Sequence, residues 1–159
     1  MTSSGIRVAQ VGCGYWGKNL VRNFAEIGAL AAISDGHEPT ATKMSVDYGV
    51  PALDWTAILS APAIDAVALA TPAAAHAEMA IEAINAGKHV YVEKPLALNS
   101  ADAGRIVAAA QAAGRTLMVG HLLHYHPIFN HMRKLVADGG VGAIDYVFSN
   151  RMSLGKFRT

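Results

Sequence analysis

The chain has 159 residues, enough for one good hydrophobic core, since domains commonly run to about 100–200 residues. Its net charge is +1 and no stretch forms a basic run, so nucleic acid and anionic membranes have no electrostatic reason to bind, and a small-molecule partner is expected. Hydrophobic residues make up 52% of the chain and charged ones only 16%, against roughly 25% charged in a typical domain, so some apolar surface is expected to need covering.

In chain order, Ile6 to Val11 reads as a buried strand, followed by glycines and then Trp16, Leu20, Val21, Phe24 and Ile27 at helical spacing, with Phe24 expected in the core. Ala29 to Ser34 is a second apolar run closed by Asp35, and Thr40 to Tyr48 predicts a helix ended by Gly49 and Pro51. Asp65 to Ala70 predicts the next strand, Ala74 to Ala86 a helix stopped by Gly87, and Lys88 to Val92 a further strand. Ser100 is placed to cap a helix reaching Ala113, with Gly114 as its stop and Thr116 to Val119 as the strand after it. The alternation is βαβαβ, which implies a Rossmann-type, doubly wound parallel α/β sheet with helices on both faces and right-handed crossovers.

Residues 121 to 126 read as extended. After Pro127 a helix over Ile128 to Ala137 ends at Gly139-Gly140, and Ile144 to Ser149 reads as a strand of something new. The expected organisation is a dinucleotide-binding domain over 1–122 and, over 123–159, a connecting helix and first strand of a second, truncated α/β domain. No terminating logic is visible in the last residues, so the sequence reads as cut.

Cys13 is the single cysteine, so no disulfide forms within the chain, which fits a reducing compartment and points to the cytoplasm. The N-terminus lacks a basic n-region, and the most apolar stretch, Ala66 to Ala75, is far shorter than the ~20 residues of a membrane span and contains Pro72.

Gly12-Cys13-Gly14-Tyr15-Trp16-Gly17 matches GxGxxG, a weak pattern alone, but it lies between a predicted strand and a predicted helix as the mechanism requires. Gly12 permits the tight turn, Gly14 lets backbone approach a pyrophosphate, and Gly17 lets the helix pack on the strand. The backbone around Tyr15 and Trp16 then faces the phosphates at the helix N-terminus, where free N–H groups and the dipole stabilise anions. Asp35 closes the second strand about 20 residues on, where its carboxylate accepts hydrogen bonds from the ribose hydroxyls and repels a 2′-phosphate. NAD is therefore expected over NADP. The competing reading makes Asp35 a plain turn residue before Gly36. Cys13, inside the loop, reads as a small space-filling residue rather than a reactive thiol.

Together, Gly-Cys-Gly-Tyr-Trp-Gly-Lys-Asn at 12–19, Thr71-Pro72 with His76, Ala-Gly-Lys-His-Val at 86–90, Glu93-Lys94-Pro95 and Gly120-His121 resemble the glucose-fructose oxidoreductase and inositol dehydrogenase family, Gfo/Idh/MocA. The resemblance covers nearly the whole chain. It implies a protein about twice as long, whose C-terminal α/β domain forms the substrate site and often an oligomer interface, so a homo-oligomer is expected. Within the family, the loop and the stretch Gly-His-Leu-Leu-His-Tyr-His-Pro at 120–127 look most like dehydrogenases that oxidise C3 of UDP-N-acetyl sugars. A sugar or nucleotide-sugar is the implied substrate, with His121 and Tyr125 as its candidate contacts.

Glu93-Lys94-Pro95 follows the carboxyl end of a predicted strand, where open α/β sheets place their ligand crevices, and the proline presents Lys94 on a fixed turn. The resemblance implies that Lys94 points at the reacting hydroxyl, that the Lys94-Pro95 bond is cis, and that a second proton-transfer group comes from the other domain. A lysine desolvated beside the nicotinamide has a lowered pKa and helps remove the hydroxyl proton as hydride leaves. Glu93 and Pro95 join the expected cofactor site, as do Thr71, Pro72 and His76, although His76 also reads as a helix-start histidine without a chemical role. His121, His124, His126 and His131 lack the spacing of a metal site, and none is expected.

Two functions remain on these residues. One is an NAD-dependent dehydrogenase represented by its cofactor half. The other is a non-catalytic dinucleotide-binding module or sensor.

Overall fold

The structure, a computed structural model, describes residues 5–150 and 152, and divides the chain into two compact units, Met1–His121 and Leu122–Thr159. In the first, the strands are β1 (Val8–Val11), β2 (Leu30–Ser34), β3 (Ala66–Leu69), β4 (His89–Val92) and β5 (Leu117–Val119). They form one parallel sheet in the order β2-β1-β3-β4-β5. The helices are α1 (Gly17–Glu26), α2 (Glu38–Tyr48), α3 (Trp55–Ser60), α4 (His76–Asn85, after a 3₁₀ turn at Ala73–Ala75) and α5 (Ser100–Ala112).

The chain steps outward from β1 to β2, then returns to the other side of β1 for β3, β4 and β5. That reversal is the topological switch point, and the crevice it leaves at the carboxyl ends of β1 and β3 is where such sheets hold ligands. The expected doubly wound parallel architecture is what the chain adopts. Its strands are apolar because both faces are covered. Ala9, Val11, Val67, Leu69, Val90 and Val92 are buried together with Ile58, Ile84 and Ile106 from the helices. Alanines on α4 and α5 let these helices lie close: Ala80 and Ala83 are fully buried and Ala110 nearly so.

Several elements differ from expectation. β1 begins at Val8, and Ile6 is exposed, because the backbone N–H of Arg7 is taken by Asp65 Oδ2 at 2.8 Å rather than by a strand. Phe24 is only half-buried and Ile27, past the end of α1, is exposed. The cap of α5 is Asn99 rather than Ser100: its Oδ1 accepts the Asp102 N–H at 2.8 Å while its Nδ2 donates to Asp102 Oδ2 at 2.7 Å. The short α3 was not expected. Asp54 caps it by accepting from Ala57 N at 2.7 Å, and Trp55, Ile58 and Leu59 supply its inward face.

In the second unit, Leu122–Tyr125 forms a 3₁₀ turn where an extended segment was expected, and α6 spans Pro127–Ala137. Residues 144–149 are not a strand. A strand needs a neighbour for its backbone groups, and none of the described residues pairs with this segment.

Candidate functional site: the carboxyl edge of the sheet

The glycine turn sits at the switch point. Gly12 has φ 83°, and a Cβ there would lie 2.6 Å from the Ala70 carbonyl oxygen and 2.9 Å from Thr71 N, so β1 and β3 meet with no space for a side chain. A Cβ on Gly17 would strike the Gly12 carbonyl oxygen, which also accepts from Gln10 Nε2 at 2.9 Å. Gly14 differs, with nothing within 4 Å of its would-be Cβ. Its exposed backbone borders a cleft of about 770 Å³ that Gly12, Asp35, Thr71 and Pro72 also line.

Asp35 follows β2 and is half-buried. Its Oδ2 accepts the Cys13 N–H at 2.6 Å and its Oδ1 accepts the His37 N–H at 2.8 Å, which orients the carboxylate and joins it to the glycine turn. Cys13 is buried, with its Sγ 3.8 Å from the Ser34 carbonyl oxygen. Burial, and then the charge of Asp35, push its thiol up to about 12, which leaves almost no thiolate at neutral pH.

The turn after β4 is held from two sides. Glu93 is buried, and its Oε1 accepts from Trp16 Nε1 at 2.6 Å and from the Tyr91 hydroxyl at 2.8 Å, while its Oε2 accepts the Lys94 N–H at 3.2 Å. The Lys94-Pro95 peptide is cis, and Lys94 is exposed rather than desolvated. His76, at the first residue of α4 and 1% exposed, has Nδ1 at 2.8 Å from the Pro95 carbonyl oxygen and Nε2 at 2.9 Å from that of Thr71. Thr71 Oγ1 and Gln10 Oε1 are buried with no partner among the described residues.

The expected residues thus divide. Gly12, Gly14, Asp35, Thr71 and Pro72 line the cleft, and Trp16 and Gly17 belong to the same loop. Tyr15 is exposed, with Lys18 Nζ 5.7 Å from its ring centre. His76, Glu93, Lys94 and Pro95 do not line the cleft; His76 contacts the carbonyl oxygens of Thr71, which does, and of Pro95, while Glu93 accepts the backbone N–H of Lys94. His121 is exposed just past β5, its N–H donating to the Val119 carbonyl at 2.7 Å, and Tyr125 is an exposed residue of the second unit.

Asp54, Trp55 and Met79 also line the cleft and were not expected. The signal available for the first two was Asp54 as a cap before an apolar i, i+3, i+4 set. Nothing local marks Met79. Among the described residues, no group of three His, Cys, Asp or Glu is close enough to hold a metal ion, and no helix is long and apolar enough to cross a membrane.

Residues 6–121 match the family described as an oxidoreductase family with a NAD-binding Rossmann fold, GFO_IDH_MocA. Among curated proteins, the chain is 29% identical over 154 residues to the UDP-N-acetylglucosamine 3-dehydrogenase of Acidithiobacillus ferrooxidans, covering 97% of this chain and 48% of that protein. It is 33% identical over 138 residues to the 4-carboxy-2-hydroxymuconate-6-semialdehyde dehydrogenase of a Sphingobium strain, covering 84% and 44%. Among solved structures, it superimposes with a TM-score of 0.76 and 29% identity on KijD10, a 3-ketoreductase from Actinomadura kijaniata in complex with NADP and TDP-benzene, covering 84% and 42%. The chain spans less than half the length of these relatives. With the matching stretch taking in every strand of the sheet and the cleft at its switch point, the chain belongs to the GFO_IDH_MocA oxidoreductase family, in its NAD-binding Rossmann portion.

Proposed function

We propose that the chain is the cofactor half of an NAD-dependent dehydrogenase that oxidises a secondary hydroxyl of a sugar or nucleotide-sugar. The observation that carries this reading is the cleft that the open glycine turn and the Asp35 carboxylate share, with the Lys94 turn following β4 at the same carboxyl edge of the parallel sheet. A dinucleotide suits the residues present. Gly14 leaves the N-terminus of α1 open to a pyrophosphate, and Asp35 keeps lone pairs for ribose hydroxyls beyond its two backbone bonds.

Bound nicotinamide supplies the hydride acceptor. This chain would supply the rest of its half of the site: the loop would hold and orient the dinucleotide, and Lys94 Nζ, as the neutral amine, would help take the hydroxyl proton together with a group from the substrate domain. Because Lys94 is exposed in this chain, the desolvation that tunes such a base has to come from the cofactor and from a covering substrate domain. We assign the Leu122–Thr159 unit to the beginning of that domain, with His121 and Tyr125 facing substrate. The assembled protein is a cytoplasmic homo-oligomer on this reading.

KijD10 was solved with NADP, so cofactor choice in this chain rests on its own Asp35, whose charge opposes a 2′-phosphate. Calorimetric titration with NAD and NADP tests that choice, with NAD expected tighter. Turnover of UDP-N-acetyl sugars by a protein carrying both domains tests the activity. NAD binding without turnover of any sugar would favour the non-catalytic module.

A further inference from the structure

Between the glycine loop and the Lys94 turn stands one buried carboxylate that touches both. Glu93 is 6% exposed and is absent from the cleft lining, so its role is exerted through the groups it binds. One oxygen takes the indole N–H of Trp16, 77 positions away in sequence, at the N-cap of α1. The other takes the backbone N–H of Lys94. The Tyr91 hydroxyl shares the first oxygen. The carboxylate is also boxed in from β5: a Cβ on Gly120 would lie 2.5 Å from the Tyr91 hydroxyl oxygen and 2.8 Å from Glu93 Oε1. With its two oxygens differently engaged and no room beside it, Glu93 cannot rotate without releasing Trp16 or Lys94.

We propose that Glu93 is a positioning residue that couples the dinucleotide loop to Lys94, so that a ligand ordering the loop through Trp16 also sets the Lys94 turn. The inference rests on reading the cleft as a dinucleotide site and Lys94 as the residue at the reacting carbon. Trp16 is the first link because it begins the helix whose N-terminus faces the phosphates, and its indole leaves the loop to reach Glu93. Lys94 is the last because its own backbone N–H is held by the same side chain. Such a link lets the enzyme present its base in register with a bound cofactor.

The test uses ADP-ribose, which carries the pyrophosphate but lacks nicotinamide. A short acylation pulse with a water-soluble N-hydroxysuccinimide acetate reports the accessibility of Lys94 by peptide mass spectrometry, with Lys43 on α2 as the internal reference. Saturating ADP-ribose is expected to change Lys94 labelling about threefold in the parent chain and to leave Lys43 unchanged. Trp16→Phe cuts the first arm and Glu93→Gln the second, since an amide nitrogen facing Lys94 N has no acceptor to offer it. Each, measured at its own saturating ADP-ribose, should abolish the response. Tyr91→Phe keeps both arms and should retain it, which separates coupling from general loosening. A response that persists in Trp16→Phe or Glu93→Gln overturns the proposal, as does ADP-ribose binding to the parent chain without any change at Lys94. If the parent chain does not bind ADP-ribose at all, the dinucleotide reading falls and the coupling falls with it.

Discussion

Asp35 Oδ2 accepts the backbone N–H of Cys13 at 2.6 Å, which makes the residue expected to choose the cofactor also a brace of the loop that holds it. A single substitution therefore has two separable effects. Asp35→Ala removes the ribose acceptor, and with it about 1.5–3 kcal/mol of charge-assisted hydrogen bonding, so NAD affinity should fall roughly 10- to 100-fold. NADP affinity should fall less, narrowing the gap. Asp35→Asn keeps an acceptor for Cys13 N while removing the charge, so it should narrow the NAD–NADP gap at a smaller loss of thermal stability. Titration of both cofactors alongside melting curves checks this, and equal or tighter NADP binding by the parent chain would remove Asp35 from cofactor choice.

Cys13 should be inert. Its thiol, pushed up to about 12 from a model-peptide value near 9, is protonated throughout the physiological range, so iodoacetamide at pH 8 should modify the folded chain only after denaturation. The shift also has a pH signature. Below about pH 9 both folded and unfolded thiols are protonated; between 9 and about 12 the unfolded thiol ionises while the folded one does not, and stability is lost as pH rises. Chemical denaturation of the parent chain and of Cys13→Ala from pH 8 to 11 should diverge, the parent chain losing stability faster. Parallel curves would contradict the shift.

The glycines of the loop predict opposite outcomes. Gly17→Ala drives a methyl group into the Gly12 carbonyl oxygen, a backbone atom with no room to yield, so it should destabilise the fold by about 1–3 kcal/mol and abolish NAD binding. Gly14→Ala meets nothing within 4 Å and should leave stability nearly unchanged. Its methyl group instead occupies space beside the cleft, and NAD affinity should fall. Loss of stability in Gly14→Ala with intact NAD binding would reverse the assignment of that position.

The sequence exposes these features unevenly, and the reason is range. The strand, glycine turn and helix at 8–26 are a local pattern, and the placing of Asp35 and of Glu93-Lys94-Pro95 at strand ends follows from periodicity and breakers. Contacts between segments leave no such trace. Trp16 and Glu93 are 77 residues apart, His76 joins turns that only the sheet order brings together, and Met79 reaches the cleft from the far side of β3 in sequence. The segment 144–149 fails for a related reason: apolar composition marks it as a strand, but strand formation requires a partner that the described residues do not supply.

Lys94 is expected to act in chemistry and not in phosphate binding. In a protein carrying both domains, Lys94→Ala should lower turnover about 10²- to 10⁴-fold while NAD affinity stays within a few-fold. Pre-steady-state hydride transfer, followed at the absorbance of the reduced nicotinamide, and equilibrium NAD binding separate the two quantities. Normal turnover would take Lys94 out of the mechanism.

The two units should also part in behaviour when residues 1–159 are studied alone. All five strands, the glycine turn, Asp35 and the Lys94 turn lie within Met1–His121, so the chain should bind NAD. It should show little or no dehydrogenase turnover, because hydride transfer needs the sugar held against the nicotinamide, and the chain spans less than half the length of the relatives it matches. The second unit predicts self-association. Leu122, Leu123, Ile128, Met132, Ile144, Tyr146, Val147 and Phe148 are all more than half exposed, a density of large apolar side chains that a monomer in water does not tolerate well. Sedimentation velocity over a wide concentration range should show dimers or larger species for residues 1–159. Removing residues 122–159 takes away that surface and leaves the whole sheet, so the shortened chain should be monomeric and bind NAD with similar affinity. If the shortened chain keeps the same association, the contact lies on the Rossmann unit instead, and if it loses NAD binding, the cofactor site depends on residues beyond His121.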